Sequence, residues 1–193
     1  MTNHLSDGVP PNLPVPVDDG AARHLVGMPL PPVVLPSTKG RLADLERLGP
    51  GVTVLYCYPR TGRPDEPPMS GWDAIPGARG CTPQACSYRD HRAELNALGA
   101  AVFGISTQTT PYQQEAVARL HLPFELLSDA EGHLSSALRL PTFQVDGELF
   151  LKRLTLVAVA GRISTCFYPV FPSDADLPAV LAWLRDRAAR AGG

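Results

Sequence analysis

The sequence predicts an α/β sandwich built on a mixed sheet, and three observations carry that prediction. Short apolar runs rich in β-branched and aromatic residues stand at 52–58, 101–105 and 154–160. Stretches with helical apolar spacing lie between and after them, at 83–98, 110–120 and 174–190. Gly161 then folds a further strand, 162–167, back against 154–160 as a hairpin. Strands alternating with helices imply parallel pairing, and the hairpin adds antiparallel strands, so a mixed central sheet flanked by helices is expected.

Residues 1–22 carry Pro10, Pro11, Pro14 and Pro16 among small and acidic residues, with no periodic apolar positions. They read as a flexible or loosely docked arm ahead of one domain spanning 23–193. The run VTVLYCY, Val52 to Tyr58, is apolar throughout, as a strand covered on both faces must be, and Pro59 ends it. An insertion at about 60–79 follows, punctuated by Pro64, Pro67, Pro68 and Pro76; it reads either as a lid or wall over Cys81 or as a surface excursion. From Pro83 to Leu98 the residues Ala85, Tyr88, Arg92, Leu95 and Leu98 share one helical face, with Gly99 as the stop. Thr110 is expected to cap the next helix with Pro111 at its first position, and 130–138 gives a short helical pattern. The last helix sets Leu177, Val180, Leu181 and Leu184 on one side and gathers basic residues towards its end, as the helix dipole favours.

At 193 residues, 44% hydrophobic and 19% charged, the chain has enough apolar material for one ordinary core. A formal net charge of -2 gives no electrostatic basis for a nucleic-acid partner or an acidic membrane surface. Apolar runs fall far short of the roughly 18 residues of a membrane span, and the polar start MTNHLSDGVPPN lacks the basic and apolar regions of a leader, so a cytoplasmic protein is expected. Four cysteines are too few for a disulfide scaffold, and in a reducing compartment a close pair points to catalysis or metal binding. His4, His24, His91, His121 and His133 show no spacing that joins the cysteines into a ligand set, so a zinc site is not expected.

That close pair lies in Gly80-Cys81-Thr82-Pro83-Gln84-Ala85-Cys86-Ser87-Tyr88-Arg89-Asp90, two thiols five residues apart where a helix begins. Unpaired N–H groups and partial positive charge at a helix N-terminus favour an anionic sulfur there, and the second thiol is placed to capture what the first becomes. Pro83 pushes Thr82 away from helical geometry, so the helix is expected to start at Pro83 with Thr82 as its cap and Cys81 just outside. In an unbroken helix, Cα atoms five residues apart stand about 8 to 9 Å from each other, beyond disulfide reach; a cysteine before the cap closes with less rearrangement. The register in which Cys86 is the nucleophile, after Thr82-Pro83, stays open. Cys57 reads as core and Cys166 as structural, with a resolving role for Cys166 as its alternative.

The segment resembles the peroxiredoxins of the Q-type, or bacterioferritin-comigratory, branch, whose pattern runs strand, Tyr-Pro, short loop, then T-P-G-C-T-x-x-A-C-x-F-R-D. Tyr58-Pro59 and 80–90 are the counterparts here, joined by Leu122-Pro123-Phe124-Glu125-Leu126-Leu127-Ser128-Asp129, Glu131-Gly132 and Arg153 at the head of RLTLVAVAGRI, so the likeness covers roughly 25–185. It implies a thioredoxin-like fold and reduction of hydrogen peroxide and organic hydroperoxides, with recycling by thioredoxin or a similar dithiol and no cofactor. It assigns Cys81 as the peroxidatic and Cys86 as the resolving cysteine, Arg153 as the stabiliser of thiolate and peroxide, and Pro76, Gly80 and Thr82 to the substrate. By the same analogy a monomer is favoured over a dimer. Because cysteine is already a few per cent thiolate at neutral pH, deprotonation alone adds at most about 30-fold, so a guanidinium and helix-terminal N–H donors must also polarise the O–O bond, and Arg153 is expected to contribute mostly to the transition state.

Two positions depart from the pattern. Ala78 stands where the family has a threonine and Arg79 where it has a proline, leaving Thr61, Thr82 or Ser70 to supply a hydroxyl. Pro59 is separated from Cys81 by the insertion, so either Pro76 takes its structural place or the insertion loops out and leaves Pro59 where the family has it. Two other functions compete: a thiol–disulfide oxidoreductase, which typically uses C-x-x-C, and a redox sensor that is oxidised without turnover.

Overall fold

The apolar run after Gly51 becomes the central strand of a five-stranded sheet. The computed structural model describes residues 12–48 and 51–191. In chain order it contains β1 (Val34–Pro36), β2 (Leu42–Asp44), β3 (Val52–Cys57), α1 (Cys81–Asp90), α2 (Arg92–Ala97), β4 (Ala100–Ser106), α3 (Thr110–Leu120) and β5 (Glu125–Ser128). There follow α4 (His133–Leu138), β6 (Thr142–Val145), β7 (Glu148–Leu151), β8 (Leu154–Val159), β9 (Arg162–Phe167) and α5 (Asp176–Ala191). The main sheet has the order β5-β4-β3-β8-β9. β3, β4 and β5 run parallel, β8 runs antiparallel to β3, and β9 antiparallel to β8, so the mixed sheet is as expected.

Side chains alternate along a strand, and both faces of β3 are covered. Leu55 and Cys57 join Ile105, Leu127, Leu154 and Leu156 on one face, closed by Leu25, Leu30, Leu35 and Leu45 from the N-terminal segment and by Leu134 and Leu138 of α4. Val54, Tyr56 and Tyr58 point the other way, where α1, α2 and α5 close the core through Ala85, Tyr88, Leu95, Val180 and Leu184. Tyr88 of α1 stacks on Tyr56 of β3 with centroids 4.7 Å apart, which fixes α1 against the sheet end from which the insertion departs.

Several elements differ from expectation. α1 starts at Cys81, not Pro83, with Gly80 as its cap and Gln84 N–H donating to the Gly80 carbonyl at 3.1 Å. Pro83 therefore sits in the first turn, where its missing N–H has no intrahelical acceptor to lose and its ring meets no helical carbonyl. The helix expected over 83–98 is interrupted at His91, whose backbone N–H and ring both reach the Ser87 carbonyl. Thr109 rather than Thr110 caps α3, a one-residue shift that proline in the first turn tolerates equally. Five short strands, β1, β2, β5, β6 and β7, were not anticipated.

The first half of the proposed arm, 1–11, lies outside the described residues. Residues 12–22 form no helix or strand, and Asp19 takes hydrogen bonds from Lys152 Nζ at 2.7 Å and Tyr168 OH at 2.9 Å. These donors, Lys152 foremost, hold the Asp19 carboxyl down at about 2.

Candidate active site

On α1 the residues Cys81, Gln84, Ala85 and Tyr88 recur at i, i+3, i+4 and i+7, forming one buried stripe that turns the sulfur inward. Cys81 is only 3% exposed. Arg153, also buried, lies between β7 and β8 and reaches the same point. Its Nη2 stands 3.2 Å from Cys81 Sγ and donates to the carbonyls of Arg79 at 3.0 Å and Gly77 at 3.3 Å, while Nη1 donates to Gln84 Oε1. One guanidinium thus holds the end of the insertion, the helix and the sulfur together, a task suited to its rigid fork of donors. Behind it, Gln84 Nε2 donates at 2.9 Å to Asp176 Oδ2, which also accepts from Tyr88 OH at 2.9 Å and Thr155 Oγ1 at 2.6 Å.

The sulfur opens on a cavity of about 300 Å³ walled by the insertion, with Pro64, Met69 and Trp72 on its apolar side and Arg60, Arg63, Arg79 and Arg119 contributing charge. Beyond its tie to Arg153, the insertion is fastened at several places, among them the carbonyl of Gly62, which accepts from Arg119 of α3 at 2.9 Å. Thr61 is held by Gln108 through backbone and side chain. Arg63 lies 4.2 Å over the ring of Tyr112 in α3, and Arg60 bonds both the Tyr112 hydroxyl and Glu66. Trp72 packs edge-on to Phe150 at 5.0 Å and against Phe143 at 5.8 Å on the β6–β7 hairpin, each such pair contributing about 0.5–1.5 kcal/mol beyond its buried area.

A family model described as Redoxin matches residues 25–182. The chain belongs to the Redoxin family. Among its Redoxin-like relatives, the putative peroxiredoxin bcp of Coxiella burnetii is 32% identical over 106 residues, covering 55% of this chain and 60% of that protein. The chloroplastic peroxiredoxin Q of Sedum lineare is 32% identical over 127 residues, covering 66% of this chain and again 60% of the relative. The chain therefore spans about 60% of the length of these curated relatives. The crystal structure of the peroxidoxin BcpB from Mycobacterium tuberculosis superposes with a TM-score of 0.69 at 27% identity, over 83% of this chain and 96% of that one. The Redoxin fold here is the thioredoxin-like one that the motif implied.

Of the residues singled out in sequence, Cys81, Gly80 and Thr82 line the cavity of this Redoxin domain, and Arg153 stands behind the sulfur. Pro76 is exposed and does not line it, whereas Pro59 is buried at the end of β3. Thr61 is buried in its bonds to Gln108 and Ser70 is exposed, so Thr82 is the hydroxyl among the three that faces the cavity. Cys86 is half-buried on α1, hydrogen-bonded with Arg89. Because α1 already includes Cys81, the two thiols lie five positions apart on one helix, and a disulfide between them requires the helix to unwind. Among the described residues no group of three or more His, Cys, Asp or Glu is arranged to hold a metal, and no helix is long and apolar enough to cross a membrane.

Gln84, Tyr88, Thr155 and Asp176 escaped the sequence reading. An aspartate at a helix start reads as a partner of the helix dipole, and only its burial, 3% exposed, marks it out.

The other cysteines are of a different kind. Burial pushes the Cys57 thiol far above its ordinary range, and burial together with the nearby Asp18 carboxylate pushes Cys166 up to about 12. Both folded values are raised, so at pH 8 each remains a thiol and labelling of Cys166 accelerates only as pH climbs towards about 12. Iodoacetamide on the native protein at pH 8 is expected to modify Cys81 and Cys86 before Cys57 and Cys166; peptide mass spectrometry showing Cys166 labelled as fast as Cys81 would count against this.

Proposed function

We propose that this chain is a thiol peroxidase that reduces hydrogen peroxide and organic hydroperoxides and is recycled by thioredoxin or a similar dithiol. The observation that supports it most is the Arg153 guanidinium 3.2 Å from a buried Cys81 sulfur at a helix N-terminus, beside a cavity. The thiolate of Cys81 attacks one peroxide oxygen, the O–O bond breaks, and the departing oxygen takes a proton to leave as water or an alcohol, with sulfenic acid left on Cys81. Arg153 and the amides of the first turn of α1, which have no intrahelical acceptors, stabilise the charge that moves onto that oxygen. Cys86 then attacks the sulfenic sulfur, releasing water and forming the disulfide, and an external dithiol returns both thiols by exchange while becoming a disulfide itself. Gly80 and Thr82 would bound the substrate, and the insertion would serve as its wall. A cytoplasmic location and a monomer fit the composition and the Q-type likeness.

The reading is tested by peroxide consumption coupled to thioredoxin for the parent, Cys81→Ser and Cys86→Ser, with sulfenic-acid trapping and mass spectrometry. The expected result is a dead Cys81→Ser and a Cys86→Ser that accumulates trappable sulfenic acid at residue 81. Trapping at Cys86 in the parent would reverse the two roles. A parent oxidised once without turnover would favour a sensor.

A further inference from the structure

Behind the arginine, one amide stands between two groups of opposite demand. Gln84 is 0% exposed and touches Arg153, which only donates, and Asp176, which only accepts. Only one orientation of the amide serves both: Oε1 towards Arg153 Nη1 and Nε2 towards Asp176 Oδ2 at 2.9 Å. The flipped amide would set donor against donor and acceptor against acceptor in a buried site, where an unmet polar group is costly. Asp176 is itself fixed from α1 and β8 by the hydroxyls of Tyr88 and Thr155 on the same oxygen, while its Oδ1 is buried with no hydrogen-bond partner among the described residues. A buried carboxylate with an unmet oxygen destabilises the fold, a cost that packing alone does not explain.

We propose that Asp176 is a positioning residue of the peroxidase reaction: it selects the orientation of the Gln84 amide, and the amide carbonyl in turn holds the Arg153 guanidinium against Cys81. The inference rests on the peroxidase reading of Cys81 and Arg153. It extends the site across 95 residues of chain, from the first turn of α1 to the first residue of α5.

The test is a charge transposition. Gln84→Glu and Asp176→Asn are made singly and together, and the second-order rate of Cys81 with hydrogen peroxide is measured beside its alkylation by iodoacetamide, with thermal melts as the check on folding. Gln84→Glu alone sets two buried carboxylates side by side with no donor between them. Asp176→Asn alone keeps a carbonyl oxygen where Oδ2 stood and so still accepts from Gln84, Tyr88 and Thr155. In the double variant the asparagine turns its amide nitrogen to that position and donates to the new glutamate, which accepts from Arg153, and the hydroxyls of Tyr88 and Thr155, which accept as well as donate, turn towards it. Gln84→Glu alone is expected to lose about tenfold or more in the peroxide rate, whereas Asp176→Asn and the double variant stay within about threefold of the parent. Gln84→Glu thus harms the protein only while residue 176 is an aspartate, a dependence that a merely structural aspartate does not produce. Alkylation, which has no oxygen leaving group, changes less than the peroxide rate in Gln84→Glu. If Gln84→Glu slows both backgrounds alike, or alkylation falls in step with the peroxide rate, the inference is overturned and the peroxidase reading stands. A parent that does not react with peroxide overturns that reading and the inference with it. Should Asp176→Asn not fold, Gln84→Leu removes the amide and leaves Asp176 its two hydroxyl donors; an unchanged peroxide rate in that variant overturns the inference.

Discussion

Arg153→Ala is expected to lower the second-order rate of Cys81 with hydrogen peroxide by about 10²- to 10³-fold, the scale on which a single preorganised donor to a developing oxyanion acts. The reason is geometric. The guanidinium contacts the sulfur at 3.2 Å, and the same side chain bonds Gln84 and the carbonyls of Gly77 and Arg79, so its loss removes both the positive charge and the tie that holds the insertion to α1. Arg153→Lys separates these contributions. It keeps a charge, but a compact ammonium cannot span acceptors on a loop and a helix at once, so an intermediate rate is expected. Stopped-flow kinetics of peroxide oxidation read all three proteins, and Arg153→Ala within a few-fold of the parent would mean that the arginine is not part of the chemistry.

Gly80→Ala is the second substitution with a large expected effect. Gly80 caps α1 at φ +99, a left-handed conformation that costs an L residue about 1–2 kcal/mol. A Cβ there would also lie 2.3 Å from Ser173 Oγ and 2.4 Å from Ser173 Cβ, and the second of these atoms cannot move without its backbone. Overpacking of this kind costs about 1–3 kcal/mol more. The strain falls on the residue that precedes the reactive cysteine, so a lower melting temperature and a slower peroxide reaction should appear together. Ser173→Gly in the same background relieves the clash but not the backbone term and is expected to restore part of the stability. A melt unchanged by Gly80→Ala would show that the turn accommodates a side chain freely.

Legibility in the sequence followed burial. β3, β4 and β8 are covered on both faces or nearly so, and such strands are written as unbroken apolar runs. β5 is also buried, but it carries Glu125, whose carboxylate is met by Arg41 at 2.8 Å and by the Ser37 hydroxyl at 2.5 Å. A charged residue inside a four-residue strand hides it from any hydrophobicity pattern. The β6–β7 hairpin did leave a mark, since Asp146-Gly147 adopts positive φ at both residues, 50° and 82°, as a two-residue hairpin turn requires. The site divided in the same way. Cys81, Gly80 and Thr82 are contiguous and belong to one motif, and the family likeness drew attention to Arg153. Asp176 joins them through Gln84, Tyr88 and Thr155, side chains to which periodicity assigns a place on a helix or strand but no part in the chemistry.

The footing of the insertion has a consequence for how such proteins can vary. Trp72 rests on Phe150, and Phe150 precedes Arg153 by three residues on the same short length of chain. The wall of the cavity thus rests on the hairpin Thr142–Leu151, which leads within two residues to the guanidinium behind the sulfur. A chimera that imports a different loop at 60–79 without its matching hairpin would leave the aromatic seat empty and disturb the approach to the arginine. The loop at 60–79 and the hairpin at 142–151 meet through Trp72, Phe143 and Phe150, so the two segments are expected to be replaceable only together.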